Sequence, residues 1–120
     1  MNIVFDQSEV EELKQKYILL TLDTFVDGDK QKTAFCLIEN IPINELPEVE
    51  HNLKLHNNLL DFYAQQRWDD CLMLLDALFG KWGGEADSFY LNLKNRISVY
   101  QMTELPASWS PFLTARKQPV

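Results

Sequence analysis

The residues best suited to bind a metal are two histidines and two cysteines. His51 and His56 are five positions apart, and five helical steps of about 100° point their side chains about 140° away from each other. Cys36 and Cys71 stand alone inside apolar patterns, which predicts two reduced core thiols rather than a disulfide or a zinc site. We therefore expect no metal and no cofactor. We expect His56 to be a core or interface histidine, because it falls on an apolar helical stripe.

The segment Gly80-x-x-Gly83-Gly84 has the composition of a loop that can cradle a phosphate at a helix N-terminus. No strand is predicted before it and no Lys-Ser or Lys-Thr pair follows it, so a P-loop is excluded. Glu85 and Asp87 would repel an anion and already favour the helix dipole. The pattern therefore predicts a tight joint between helices, with Glu85 or Asp87 as its cap.

Groups able to catalyse a reaction are scattered along the chain. Asp69 and Asp70 are adjacent, so on a helix they face different ways and cannot work as an acid–base pair. Ser88 and Ser98 have no histidine or lysine at a readable spacing and no nucleophile-elbow motif. We predict that the chain has no catalytic residues. A small enzyme, with an active site assembled from distant aspartates and histidines, is the function that the sequence favours least.

Three amphipathic helices are predicted between residues 48 and 109. The first covers 48–65. Apolar residues in the next two recur at three- and four-residue steps. Those of the second helix are Trp68, Cys71, Leu72, Leu75, Leu78 and Phe79, and those of the third are Ala86, Phe89, Tyr90, Leu93, Ile97 and Tyr100. Gly80 stands where a left-handed cap is expected. The joints are short, so neighbouring helices are expected to be antiparallel.

The N-terminal third predicts a short helix after Ser8 and two strands at 17–26 and 31–39, joined by a turn at Gly28. Residues 1–5 either add an edge strand or fray, 40–47 form a linker, and 110–120 form a closing strap. An isolated hairpin is marginal in water, so this one must lie on the helices, pair with the N-terminal segment, or pair with a second copy. Its second face carries Tyr17, Leu19 and Phe25, which favours a subunit interface.

The net charge and the length of the apolar runs limit the kinds of partner that the chain is expected to bind. The 120 residues carry a net charge of −7, with all of the excess in residues 1–53. This distribution offers no basic surface for phosphates, so we expect no nucleic-acid binding. No apolar run approaches the roughly 20 residues that span a bilayer. We expect one domain over 1–120, no membrane insertion and a cytoplasmic location.

Packing residues in the C-terminal half follow a recognisable order: Tyr63, Arg67-Trp68, Cys71, Leu75, Asp87, Tyr90, Arg96, Leu105-Pro106 and Trp109. This order resembles a tetratricopeptide-type helical hairpin, in particular the helical extension that follows the catalytic domain in some bacterial adenylate and guanylate cyclases. The joint Lys81-Trp82-Gly83-Gly84 departs from that pattern. The cyclase catalytic domain is not part of this sequence, so the resemblance implies a shape and not an activity.

The whole chain, including Ile41-Pro42 and Trp82-Gly83-Gly84-Glu85, also resembles small uncharacterised proteins of marine cyanobacteria and their phages. That resemblance implies no function, and it implies the host cytoplasm if the protein is phage-encoded. Together the patterns predict an α+β fold, a β-hairpin packed on a bundle of three main helices with tetratricopeptide-like stacking.

The predicted function is a non-catalytic interaction or assembly protein that binds a protein partner or itself, as a homodimer. Trp82, in the glycine-flanked joint, is either a lid on the helices or an exposed anchor for that partner. The alternative is a module that binds a small ligand or peptide in a groove between the helices. Tyr63, Trp68, Tyr90 and Arg96 would line this groove. Arg96 would either meet a carboxylate of the ligand or pair with Asp61 or Asp87.

Overall fold

The computed structural model describes residues 2–5, 7–39 and 46–114. Within these residues the elements follow the order β1 (Asn2–Val4), α1 (Gln7–Leu13), β2 (Ile18–Asp27), β3 (Lys30–Ile38), α2 (Leu46–Ala64), α3 (Trp68–Leu78), α4 (Asp87–Gln101) and β4 (Leu113–Thr114). The predicted α+β class is confirmed, and each predicted helix and strand is present with small shifts of its ends.

The chain divides into two compact units. The sheet unit contains the described residues up to Glu39 and those from Ser110 onward, and the helical unit contains those from Leu46 to Trp109. Most of the predicted linker, at 40–45, and most of the predicted strap, at 115–120, lie outside the described residues. The described part of the strap supplies β4.

The sheet unit has the strand order β1-β3-β2-β4. Strands β2 and β3 form the predicted hairpin, and Gly28 at its turn has a φ of +63°, which a residue with a side chain rarely adopts. The N-terminal segment forms an antiparallel edge strand, β1, on β3. Strand β4 adds to the other side of β2 in parallel, a pairing for which two residues give no sequence signal.

A β-bulge interrupts β2. Thr21 lies opposite Phe35 and Thr24 lies opposite Thr33, so three steps along β2 correspond to two steps along β3. Because side chains alternate between the two faces of a sheet, one extra residue moves every later side chain of β2 to the opposite face. The hydroxyl oxygens of Thr24 and Thr33 lie 2.9 Å apart, which agrees with their placement side by side on one face.

The bulge corrects the predicted subunit surface of the hairpin. Phe25 lies opposite Lys32, and its ring centroid lies 6.4 Å from that of Phe5. Leu19, which precedes the bulge, points to the other face. Tyr17 precedes the first residue of β2 and is 38% exposed. The prediction that these three side chains share one face is therefore wrong, because strict alternation does not continue through the extra residue.

The helical unit is built around α3, which packs against α2 and α4. Its buried apolar side chains come from all three helices and the joint before α4: Leu59, Tyr63, Cys71, Leu75, Leu78, Trp82, Ala86, Phe89, Tyr90, Leu93 and Ile97. Gly80 has a φ of +81°, so the predicted left-handed residue after α3 is confirmed. Phe79 is an exception: α3 ends at Leu78, and the Phe79 ring is 47% exposed instead of continuing the buried face.

Candidate functional site

The joint between α2 and α3 is a Schellman motif. The amide of Arg67 donates to the carbonyl of Phe62 over 2.9 Å, and that of Gln66 donates to the carbonyl of Tyr63 over 3.1 Å. Gln66 occupies the left-handed position with a φ of 60°, where glycine is more usual. The Arg67 guanidinium lies over the Phe62 ring, 4.5 Å from its centroid. This joint fixes the direction in which the chain enters α3 at Trp68.

Four aromatic side chains meet beside this joint, and we call them the aromatic quartet: Tyr63, Trp68, Tyr100 and Trp109. All six pairs of rings are in contact, with centroid separations from 5.5 to 6.3 Å. Four of the six pairs have the edge-to-face geometry that aromatic rings prefer. Tyr63 is buried, and the other three rings are half-buried.

A turn after α4 brings Trp109 into the quartet. The amide of Trp109 donates to the carbonyl of Pro106 over 2.9 Å, which reverses the chain within the sequence Pro-x-x-Trp. The indole then contacts the rings of Tyr63, Trp68 and Tyr100.

An open pocket of about 560 Å³ lies at the start of α3, and we call it the α3 pocket. It is lined by Gln66, Arg67, Trp68, Asp69, Asp70, Tyr100 and Gln101. Arg67 and Asp70 form a salt bridge of 2.8 Å across it. Two half-buried rings of the quartet and two carboxylates therefore border the same space.

Arg96 and Tyr63 are not part of the pocket lining. Arg96 donates to the Tyr63 hydroxyl over 3.3 Å and to the Asn92 side-chain oxygen over 2.9 Å. Burial raises the pKa of the Tyr63 phenol well above its usual range, and a hydrogen bond with Tyr100 adds to the rise, while the Arg96 charge opposes it. The phenol stays neutral, so it serves as a hydrogen-bonding group of the quartet.

Tyr90 belongs to a different cluster from the predicted groove. It is fully buried, and its hydroxyl accepts a hydrogen bond of 2.9 Å from the Trp82 indole nitrogen. The same hydroxyl lies 2.9 Å from Nδ1 of His56, which is also fully buried. The structure therefore separates Tyr90 from Trp68 and Tyr63, and it confirms the core placement of His56.

Trp82 is folded inward. Its side chain is 5% exposed, and its bond to Tyr90 satisfies the indole N–H. Of the two sequence interpretations, the lid on the helices is confirmed and the exposed anchor is wrong. Asp87 accepts a 2.8 Å hydrogen bond from the amide of Gly80, which closes the joint that carries Trp82. The N-cap of α4 is Ala86, without a side-chain capping bond, so the predicted cap by Glu85 or Asp87 is wrong.

Cys71 is a buried thiol within the same unit. Its sulfur lies 3.9 Å from the carbonyl oxygen of Leu59. Burial, together with the nearby charge of Asp70, raises the pKa of the Cys71 thiol to about 11. The thiol is therefore protonated at neutral pH and is a packing group, not a nucleophile.

The raised pKa predicts a loss of stability in alkali. The unfolded chain loses the thiol proton near the ordinary pKa, whereas the folded chain holds it to about pH 11, so stability is retained below about pH 9 and falls as pH rises toward 11. We expect wild type to lose on the order of 2 kcal/mol more than Cys71→Ala over this interval. Urea denaturation at about pH 8 and about pH 10.5 measures it. Equal losses in the two proteins would contradict the assignment.

The sequence predicts Trp68 as a site residue, but it does not predict that Tyr100, Trp109 and the pocket carboxylates are its neighbours. The Pro106-x-x-Trp109 pattern was the available signal for Trp109. Among the described residues, no group of three or more histidine, cysteine, aspartate or glutamate side chains is arranged to hold a metal ion. Within the same residues, no helix has the length and apolar character needed to cross a bilayer.

Comparison with known proteins identifies no relative: no protein-family model, curated protein or solved structure matches this chain.

Proposed function

We propose that this chain is a non-catalytic assembly protein that self-associates through the outer side of α4. The observation that supports this is a row of exposed apolar side chains, the α4 row. It consists of Leu91 and Val99 of α4 and of Met102 directly after its last residue, which are 49%, 60% and 87% exposed. At about 100° per residue they fall within about 80° of one another around the helix. Apolar surface grouped in this way is typical of a protein contact.

A second copy is the partner whose chemistry fits the α4 row. Two α4 helices that pair antiparallel, centred between Arg96 and Ile97, place Leu91 of each copy opposite Met102 of the other. A two-fold interface requires such self-complementarity. In the same register Asn95 lies opposite Ser98, whose hydroxyl donates to the carbonyl of Lys94 over 3.2 Å, and Val99 lies opposite Lys94 of the other copy. Pairing therefore buries apolar groups, and the long aliphatic stem of Lys94 can cover Val99 while its ammonium stays in water.

This proposal predicts a dimer that single surface substitutions dissociate. We expect light scattering on a sizing column, above about 10 µM protein, to give twice the mass of one chain for wild type. Val99→Lys and Met102→Glu are expected to give the mass of one chain, because the first places a second ammonium opposite Lys94 of the other copy and the second places a carboxylate against Leu91 of the other copy. Both positions are exposed, so the variants should keep the wild-type circular dichroism spectrum.

Met73→Glu is the matched control. It makes the same kind of change at a methionine of α3 that is 68% exposed and lies outside the α4 row, so it should remain a dimer. A monomeric wild type would refute self-association. Dissociation by all three variants alike would refute the assignment to α4.

A second function, binding a small ligand or peptide, is supported by the α3 pocket. Its volume of about 560 Å³ falls in the range of ligand pockets in proteins, and Trp68 and Tyr100 supply aromatic surface to it. The net charge of −7 favours a protein or small-molecule partner over nucleic acid.

We further propose a cytoplasmic location, in the host if the chain is phage-encoded.

A further inference from the structure

We propose that the α3 pocket binds a cationic side chain, lysine or arginine, presented by a partner protein. This inference rests on the second proposed function, that the pocket is a binding site, and it names the class of ligand. It is carried by three features of the pocket: aromatic rings held in place, an excess of negative charge, and an opening to solvent that suits a side chain projecting from a second chain.

The first feature is a pair of ordered aromatic rings. Trp68 and Tyr100 line the pocket with their ring centroids 5.5 Å apart. Both rings also contact Tyr63 and Trp109, so their positions are set by the quartet before any ligand arrives. A cation near an indole or phenol ring gains about 0.5–1 kcal/mol at an exposed site. Rings that are already ordered lose little entropy on binding.

The second feature is charge. Asp69 and Asp70 contribute two negative charges to the lining and Arg67 contributes one positive charge. The N-terminus of α3 adds roughly half a positive charge, which still leaves the pocket negative. This excess is local to the pocket, because the net charge of −7 comes from residues 1–53 and residues 54–120 are neutral as a whole.

Internal contacts already occupy the one cation in the lining. The Arg67 guanidinium lies over the Phe62 ring and forms its salt bridge with Asp70. Within the described residues, Asp69 is exposed and makes no ion pair. A ligand ammonium or guanidinium can therefore meet Asp69 while it lies against Trp68 or Tyr100, without displacing Arg67.

The openness of the pocket favours a side chain of a larger partner over a free small molecule. Gln66 and Gln101 at the pocket offer amide groups that can bond to a peptide backbone. An enclosed cavity would instead be expected for a small ligand, which needs most of its surface buried. The occupant is therefore a basic segment of protein.

The test is calorimetric titration of the full chain with an octalysine peptide at low salt. We expect measurable binding that weakens as salt is added. Asp69→Asn is expected to weaken it roughly threefold to fivefold, because it removes one carboxylate contact without changing the size of the side chain. Asp76→Asn is the matched control. Asp76 is an exposed carboxylate on α3 outside the pocket lining, so its loss changes the net charge equally and should leave the affinity within about twofold.

Three further probes, octaglutamate, octaserine and tetramethylammonium chloride, distinguish the possible outcomes. Equal weakening by Asp69→Asn and Asp76→Asn would overturn the pocket assignment, since general charge attraction would then explain binding. Binding of octaglutamate or octaserine in place of octalysine would overturn the cationic ligand while leaving a binding function. Tighter binding of tetramethylammonium chloride than of octalysine would overturn the protein segment as occupant. No binding of any probe would overturn both this inference and the binding function of the pocket.

Discussion

Trp82→Ala is expected to lower the free energy of unfolding by about 3–5 kcal/mol, the usual cost of removing a buried aromatic side chain. The indole is 5% exposed and donates to the Tyr90 hydroxyl over 2.9 Å. Its removal leaves a cavity and takes away one partner of a buried hydroxyl that also contacts His56. Urea denaturation followed by far-ultraviolet circular dichroism measures the change as a lower transition midpoint.

Two controls test the role of the indole as a lid. Lys81→Ala, at the exposed neighbour in the same joint, should change stability by less than about 0.5 kcal/mol. Trp82→Phe keeps much of the apolar volume but loses the N–H, so its cost should lie between those of the other two variants. If Trp82→Ala cost no more than Lys81→Ala, the indole would not be packed in solution, and the inward placement would be wrong.

Tyr63→Ala is expected to have a comparable effect, again about 3–5 kcal/mol. Tyr63 is 4% exposed, and its ring contacts the other three members of the quartet. Loss of this ring removes three aromatic contacts at once and also the acceptor for Arg96. We expect a lower denaturation midpoint together with weaker near-ultraviolet circular dichroism, which reports the fixed environment of aromatic rings.

Tyr63→Phe is the matched variant. It keeps all three ring contacts and removes only the hydroxyl, so its cost should be about 1 kcal/mol. The quartet also predicts that Tyr63→Ala and Trp109→Ala are coupled, with a double variant less destabilised than the two single changes combined. Additive effects would show that the rings contribute independently, contrary to a shared cluster.

The helices of this protein could be predicted because their signal is local. Apolar residues at three- and four-residue spacing identify α3 through Cys71, Leu75 and Leu78, and all three are buried. Phe79 continues the same spacing but is the first residue after the helix, and its side chain is 47% exposed. The face of Phe25 could not be predicted, because the bulge in β2 adds a residue that leaves no mark in the pattern of alternation.

Only part of the candidate site could be predicted, because helical periodicity is again the local signal. Tyr90 and Tyr100 both lie on α4, and helical periodicity marks both as core residues. They are ten residues apart, or about 15 Å along the helix. Only the tertiary fold decides that Tyr100 contacts Trp68 while Tyr90 contacts Trp82. Periodicity predicts that a residue is buried, but it does not name the neighbours.

Because of strand β4, the four-stranded sheet can be completed only after the helices have been synthesised. The helical unit is one continuous stretch, whereas the sheet unit is made of two segments that lie on either side of it in the chain. Leu113 and Thr114 pair with Phe25 and Val26, so α2, α3 and α4 have all left the ribosome's catalytic centre before the fourth strand exists. One edge of β2 is therefore uncovered until the whole helical unit has been translated. During this time the helical unit can fold by itself.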